Sequence, residues 1–330
     1  MPRRALIAVA AAAALLIAIA LSLAIGARAI DLGTVWQAIT DLDPNDPEQL
    51  IVTDLRVSRT VIGILAGAAL GIAGALMQSL TRNPFADPGL LGINAGASLA
   101  VVISLTLGIT GFAAQVPFAF LGAAIAAVIV YAIGARGAAA GAPVRLALAG
   151  VALTALITSI INAVLLVDDA TLDQYRLWVA GSLTGRDSDD VMALVPFVLV
   201  AIVVALIVAK PLEAVALGED AARALGINIT ATRIAVIVTV TALAASATAA
   251  AGPLVFVGLA VPHLARALIG ASLPWLLVVS GLGGAALVLV CDVIGRVVAP
   301  PGEIGVGITT AFIGGAIFAV MARRMKVVEL

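Results

Sequence analysis

The feature that most constrains this chain is a succession of apolar, nearly charge-free stretches, each close to the length a helix needs to cross a bilayer. In hydrocarbon every backbone N–H and C=O must pair within its own segment, so a crossing takes about 20 mainly apolar residues wound as a helix. Stretches of this kind run over residues 5–26, 60–80, 91–107, 114–135, 144–167, 191–209, 234–250, 254–269, 273–298 and 305–321. They predict an all-α, polytopic membrane protein with about ten transmembrane helices, one transmembrane domain over residues 1–330. Only 11% of the residues are charged, against about 25% in soluble domains, which excludes a water-soluble enzyme. The first stretch follows Arg3 and Arg4 as a signal peptide would. Its apolar run of 22 residues exceeds the roughly 7–15 of a secretory core, so it reads as a retained helix.

Basic residues between spans set orientation. With both termini cytoplasmic, twelve of the 18 Lys and Arg fall inside, leaving Arg28, Arg56, Arg59, Arg176, Arg186 and Arg296 outside. Fourteen of the 19 acids then lie outside, mostly in outer loops 27–59 and 168–190, and the largest inner loop is 210–233. The net charge of −1 gives no footprint for nucleic acid. Lys210 and Lys326 are the only lysines and neither follows a phosphate-binding glycine loop, so any ATP chemistry belongs elsewhere. A lone Cys291 and a lone His263 make no metal centre, and His263 beside Pro262 reads as structural rather than as a haem ligand.

Small residues recur at helical spacing: Gly63, Gly67 and Gly71 with Ala68 and Ala75, then Gly92 and Gly96, then Gly281 with Ala285. Such stripes let helix backbones approach closely. Pro and Gly break the pattern at 78–89 and again at 252–266. Paired breaks point to an inverted repeat, helices two to five against seven to ten; an ordinary inner turn and a kinked helix are the plainer alternative. The fifth span carries Thr154, Thr158, Ser159 and Asn162 on one face, the third carries Asn94 and Ser98, and the tenth Thr309 and Thr310. Intramembrane polar groups face protein or water, so these either join helices or line a pathway. In the inner loop, Gly218 and Gly226 bracket a short helix, Glu219–Leu225, with Ala221, Ala222 and Leu225 on one side and Arg223 among the charges elsewhere. Asp168, Asp169 and Asp173 have no matching second cluster of diphosphate-binding type on the same face, so a solvated loop is the better reading than a transferase site. A proton-coupled carrier would place an ionisable coupling residue at mid-membrane, and none is evident.

Several motifs together carry a resemblance. Leu55-Arg-Val-Ser-Arg59, Gly74-Ala-Leu-Met-Gln78, Arg82-Asn-Pro84, Gly252-Pro253, Phe256-Val-Gly-Leu259, Pro262-His263, Arg266 and Val306-Gly-Ile308 follow one another in order. In this the chain resembles the FecCD-type permeases, membrane subunits of ATP-binding-cassette importers for ferric siderophores, haem and cobalamin. Ser58, Gly305 and Gly315 depart from that pattern, standing where proline is expected at or nearby.

The resemblance implies a bacterial cytoplasmic-membrane permease that carries a ferric-siderophore-type chelate, with haem or cobalamin as alternatives, and binds no cofactor or metal itself. It implies a homodimer or a heterodimer with a similar permease, two ATPase subunits that use ATP and Mg, and an extracytoplasmic substrate-binding protein. Arg56, Arg59 and Arg296 then match residues that receive acids of the binding protein, a role the planar guanidinium fork suits. From the residues alone, Arg296 also has the alternative of a local pair with Asp292. The segment Gly218, Glu219, Ala221, Ala222, Arg223, Leu225 and Gly226 corresponds to the element that docks on the ATPase. Asn94, Thr154, Thr158, Asn162 and Thr309 are the pathway candidates.

Overall fold

A computed structural model describes residues 2–26, 29–134, 142–185, 188–300 and 302–324. Arg28, Arg136, Arg186 and Lys326 lie outside the described residues. Helices make up most of the described residues, and no strand occurs among them. In order come α1 (Pro2–Ala24), α2 (Leu32–Thr40), α3 (Pro47–Leu50), α4 (Ser58–Thr81), α5 (Ile93–Thr106), α6 (Phe112–Gly134) and α7 (Ala142–Leu165). The second half holds α8 (Asp169–Val179), α9 (Ser188–Ala216), α10 (Glu219–Ala224), α11 (Ile229–Ala251), α12 (Val257–Ile269), α13 (Leu273–Val298) and α14 (Val306–Arg324).

All ten expected apolar stretches are helical, but they are not equal. Seven helices among the described residues are long and apolar enough to cross a membrane alone. The other three are α5 with 14 residues, α12 with 13, and the apolar stretch Val306–Val320 of α14. At 1.5 Å per residue the first two reach only about 20 Å, short of a core about 30 Å thick. The cause is the breaks. Arg82 ends α4 in the left-handed region with φ 51, and Asn83 and Asp87 each accept a backbone N–H two residues on. Pro88–Leu91 then winds one 3-10 turn before α5. In the second half the chain leaves α11 at Gly252 (φ 76) and turns into α12 at Phe256 (φ 66). Each half thus pairs a long helix (24 and 23 residues) with a short one behind a Pro/Gly break.

The expected outer loop 27–59 is mostly helical: α2 stands apart behind a turn at 41–46, and α3 and a π-helical stretch Ile51–Val57 run into α4 as one rod over Pro47–Thr81. Asp31 and Asp46 cap α2 and α3 by accepting from Gly33 and Glu48 backbone N–H groups. Outer loop 168–190 contains α8, which Asp168 caps through Thr171. That capping bond holds the Asp168 carboxyl below its ordinary value, and no group of three His, Cys, Asp or Glu placed to hold a metal occurs among the described residues. Tyr175 and Trp178 of α8 stack on each other and pack against the bundle.

The glycine stripes mark helix crossings. A Cβ at Gly63 would meet Leu289, one at Gly67 the backbone of Gly284 and Ala285, and one at Gly71 the backbone of Ser280. As the position rises on α4 it falls on α13, so the two run antiparallel in near-backbone contact. Gly74 meets Gly258 of α12, and Gly96 meets Gly122 of α6. This is the core: α4, α11 and α13 are buried over most of their length, and α1, α6, α7, α9 and α14 wrap it with apolar faces outward.

Candidate functional site

Contacts between distant residues sort the bundle into two ends. At one end Arg4 donates to the Ile269 carbonyl (3.3 Å), Arg266 to Ser79 (3.2 Å) and Arg82 to the Val215 carbonyl (2.7 Å). Phe318 of α14 meets Phe85 edge-on there, and His263 stacks on Phe85 with 6.2 Å between ring centroids. The start of α1, the far half of α14 and the α9–α10–α11 loop therefore share one end.

The opposite end is closed by a buried ion cluster. Arg59 of α4 holds Asp292 of α13 with Nε (2.9 Å) and Nη2 (2.7 Å), and reaches Glu303 with Nη1 (2.8 Å). Asp292 also takes Arg296 Nη2 at 3.0 Å. Arg296 donates Nη1 to the carbonyls of Ser22 and Ile25, two of the orphan acceptors at the end of α1, and Nη2 to Ser22 Oγ. Arg56 donates to the Leu23 carbonyl. Arg296 and Asp292 are only 3% and 2% exposed. The three arginines expected to await a binding protein are thus turned inward, where they join α1, α4 and α13. For Arg296 the pair with Asp292 is what is found, buried rather than exposed.

Between α9 and α11, Gly218 (φ 124) and Gly226 (φ 76) make the reversals that only glycine adopts cheaply, and α10 stands between them. Ala222 is fully buried against Val215 and Ile229, so it anchors the helix instead of sharing an outward face with Leu225. Leu225, 66% exposed and expected as the last helical residue, is the C-cap, one residue past Ala224. Ala221 and Ala224 are exposed beside it. Glu219 bonds Arg233 at the start of α11 (2.9 Å) and Arg223 (2.7 Å), and Arg223 also reaches Asp220. These partners, Arg233 first, hold the Glu219 carboxyl below its ordinary value. The result is a short tethered helix with a small apolar outer surface.

The intramembrane polar residues divide. On α7, Thr158, Ser159 and Asn162 are exposed and Thr154 is half-buried, on a helix whose outer face carries Leu148, Val151 and Leu156 without cover. Asn94 accepts from Thr248 of α11 at 2.9 Å, tying α5 to the core. Thr309 is buried against Gly295 and bonds its own helix at Val306. The contacts of Asn94 and Thr309 are with helices of this chain, and the uncovered face of α14 carries Ile308 and Phe312. The partners of Asn94 and Arg59 lie 154 and 233 residues away, which no spacing rule reveals.

Residues 14–324 match the FecCD transport family. This chain belongs to that family. The ferric enterobactin transport system permease protein FepD of Escherichia coli is 43% identical over 301 residues, 91% of this chain and 90% of that protein. The Fe(3+)-citrate import system permease protein YfmD of Bacillus subtilis is 38% identical over 84% of this chain and 82% of its own length. The hemin transport system permease protein HmuU of Yersinia pestis is 33% identical over 92% and 90%. A solved metal-chelate type ABC transporter in an inward-facing conformation superposes with a TM-score of 0.85 at 25% identity, covering 97% of this chain and 99% of that one. As a FecCD permease the chain is a transport component of the membrane, and the helical order described above is that of an ABC-transporter permease.

Proposed function

We propose that this chain is the permease of an importer that brings a ferric chelate of the siderophore type across the bacterial cytoplasmic membrane. The observation that carries the reading is the polar stripe of α7. Thr158, Ser159 and Asn162 stand uncovered on a helix otherwise built for lipid, and polar groups at that depth face protein or water. A second permease chain against this face, a copy or a close relative, would enclose them as the wall of a shared pathway. The names of the similar permeases, ferric enterobactin, ferric citrate and hemin among them, support a chelate as the cargo.

In this reading both termini and α10 face the cytoplasm, in line with the charge bias and with the shared end of α1, α10 and α14. Two ATPase subunits engage Leu225 and its neighbours, hydrolyse ATP with Mg, and move α10 against the bundle. An extracytoplasmic binding protein delivers the chelate at the opposite end. Since Arg56, Arg59 and Arg296 bond within the chain, its contact there falls on the exposed acidic turn of Asp41 and Asp43 between α2 and α3. Uptake of radiolabelled iron by cells carrying the chain with its ATPase and binding protein tests this. Import of a ferric catecholate or hydroxamate, competed by the same unlabelled chelate and lost on ATP depletion, is expected. Import of hemin alone would move the cargo within the family, and ATP-independent uptake would contradict the mechanism.

A further inference from the structure

At the inner end of α4, α9 and α12 a cavity of about 380 Å³ opens between Ser79, Arg82, Leu212, Glu213, Arg266 and Leu273. Two guanidiniums line it, and each is held in place by one bond to the chain. Arg266 Nη2 donates to Ser79 Oγ, and Arg82 Nη2 donates to the Val215 carbonyl. Neither arginine is in an ion pair among the described residues. This contrasts with Arg59, Arg223, Arg233 and Arg296, all of which have carboxylate partners. Arg82 is also held in the left-handed region with φ 51, a conformation that costs about 1–3 kcal/mol for a non-glycine residue. Glu213 contributes one negative charge to the wall, against two fixed positive ones. Gln78 adds a neutral amide, and Pro84, Leu212, Ala216, Ala271 and Leu273 make the rest of the wall apolar.

We propose that this cavity binds a phosphate group, held by the free N–H groups of Arg82 and Arg266. A guanidinium fork matches phosphate oxygens in pairs, and Glu213 is placed to take a hydroxyl beside them. The cavity lies where α4, α9 and α12 end and α13 begins, with a largely apolar wall, so the headgroup of an anionic phospholipid fits it: basic pockets between transmembrane helices on the cytoplasmic side hold such headgroups. The cytoplasmic placement rests on the orientation proposed above; the phosphate chemistry does not.

Binding to the purified full-length permease tests the site independently of transport. Delipidated protein is titrated with phosphatidylglycerol, with phosphatidylcholine and with inorganic phosphate, followed by native mass spectrometry and by the shift in melting temperature. Phosphatidylglycerol is expected to bind and stabilise where phosphatidylcholine does not. Arg266→Gln should weaken that binding about tenfold, the loss of one charge-assisted partner. Ala271→Trp, an exposed position on the rim, should block it while leaving both arginines intact, and Arg323→Gln at the end of α14 should leave it native. Inorganic phosphate that competes at millimolar concentration identifies a soluble phosphate as the source, and phosphate that fails to compete identifies the lipid. Equal binding of all three ligands, or native phosphatidylglycerol affinity in both Arg266→Gln and Ala271→Trp, overturns the site. So does a loss confined to ATPase association, which would make the cavity part of that interface.

Discussion

Asp292 is the residue on which the end of the bundle opposite α10 depends. It neutralises Arg59 and Arg296 at once in a place where its own side chain is 2% exposed. Removing one partner of a buried pair costs about 3–5 kcal/mol because the other charge is stranded. Asp292→Ala is therefore expected to destabilise the permease by about that much, read as a lower melting temperature and a lower level in the membrane. Glu303→Ala, at a carboxylate 35% exposed, should cost about 1 kcal/mol or less. Charge reversal at Arg59 should likewise lower the amount of folded permease, whereas a pure docking residue would leave that amount unchanged. The arginines themselves stand out in the sequence as cations on an acidic face. Their commitment does not, because it depends on three helices meeting, and the helix spacing exposes only the local Asp292–Arg296 pair.

In the proposed mechanism the short elements carry the coupling. In α10 the two alanines that look alike in sequence differ in the fold: Ala222 fills a pocket made by Val215 and Ile229, while Ala221 is exposed. Leu225→Glu should reduce ATPase association while leaving the permease folded, and Ala222→Glu should disorder the loop itself; co-purification of the ATPase against permease level separates the two. The Glu219 tether adds a pH dependence with a definite sign. Its folded-state value is depressed, chiefly by the Arg233 bond, so its contribution is present above the ordinary carboxylate range and is lost as pH falls through the lowered value. ATPase association should weaken on acidification through that window in the native chain, and Glu219→Gln should start weaker and lack that component. The glycine stripe gives the other element-level test. Gly71→Val would drive a side chain into the Ser280 backbone, and overpacking of this kind costs about 1–3 kcal/mol or more, measurable as a loss of thermal stability. The stripes, the two glycine reversals of α10 and the Pro/Gly breaks are legible because each reports a local backbone demand. The shortness of α5 and α12 is not, since the apolar runs of 91–107 and 254–269 include residues spent on the turns.

Across the whole molecule, ten apolar stretches and two broken halves are written in periodicity and composition, and helices form in all ten of those stretches. The breaks at 82–92 and 252–256 lie at opposite ends, the first with α10 and the second near Ala180 and Gly307, as an inverted repeat requires. Composition says little about which polar residues meet water, because Asn94 and Asn162 look equivalent until Thr248 is seen to hold the first while the second stands exposed. In the function proposed above, this open face of α7 walls the passage of the chelate. The most direct measurement is ATP-driven uptake of a ferric siderophore by the reconstituted transporter carrying Asn162→Cys in a Cys291→Ala background, before and after a charged, membrane-impermeant thiol reagent. The account predicts labelling at position 162 and loss of uptake, with labelling slowed by the chelate-loaded binding protein. Uptake that continues at the native rate after complete labelling would contradict it.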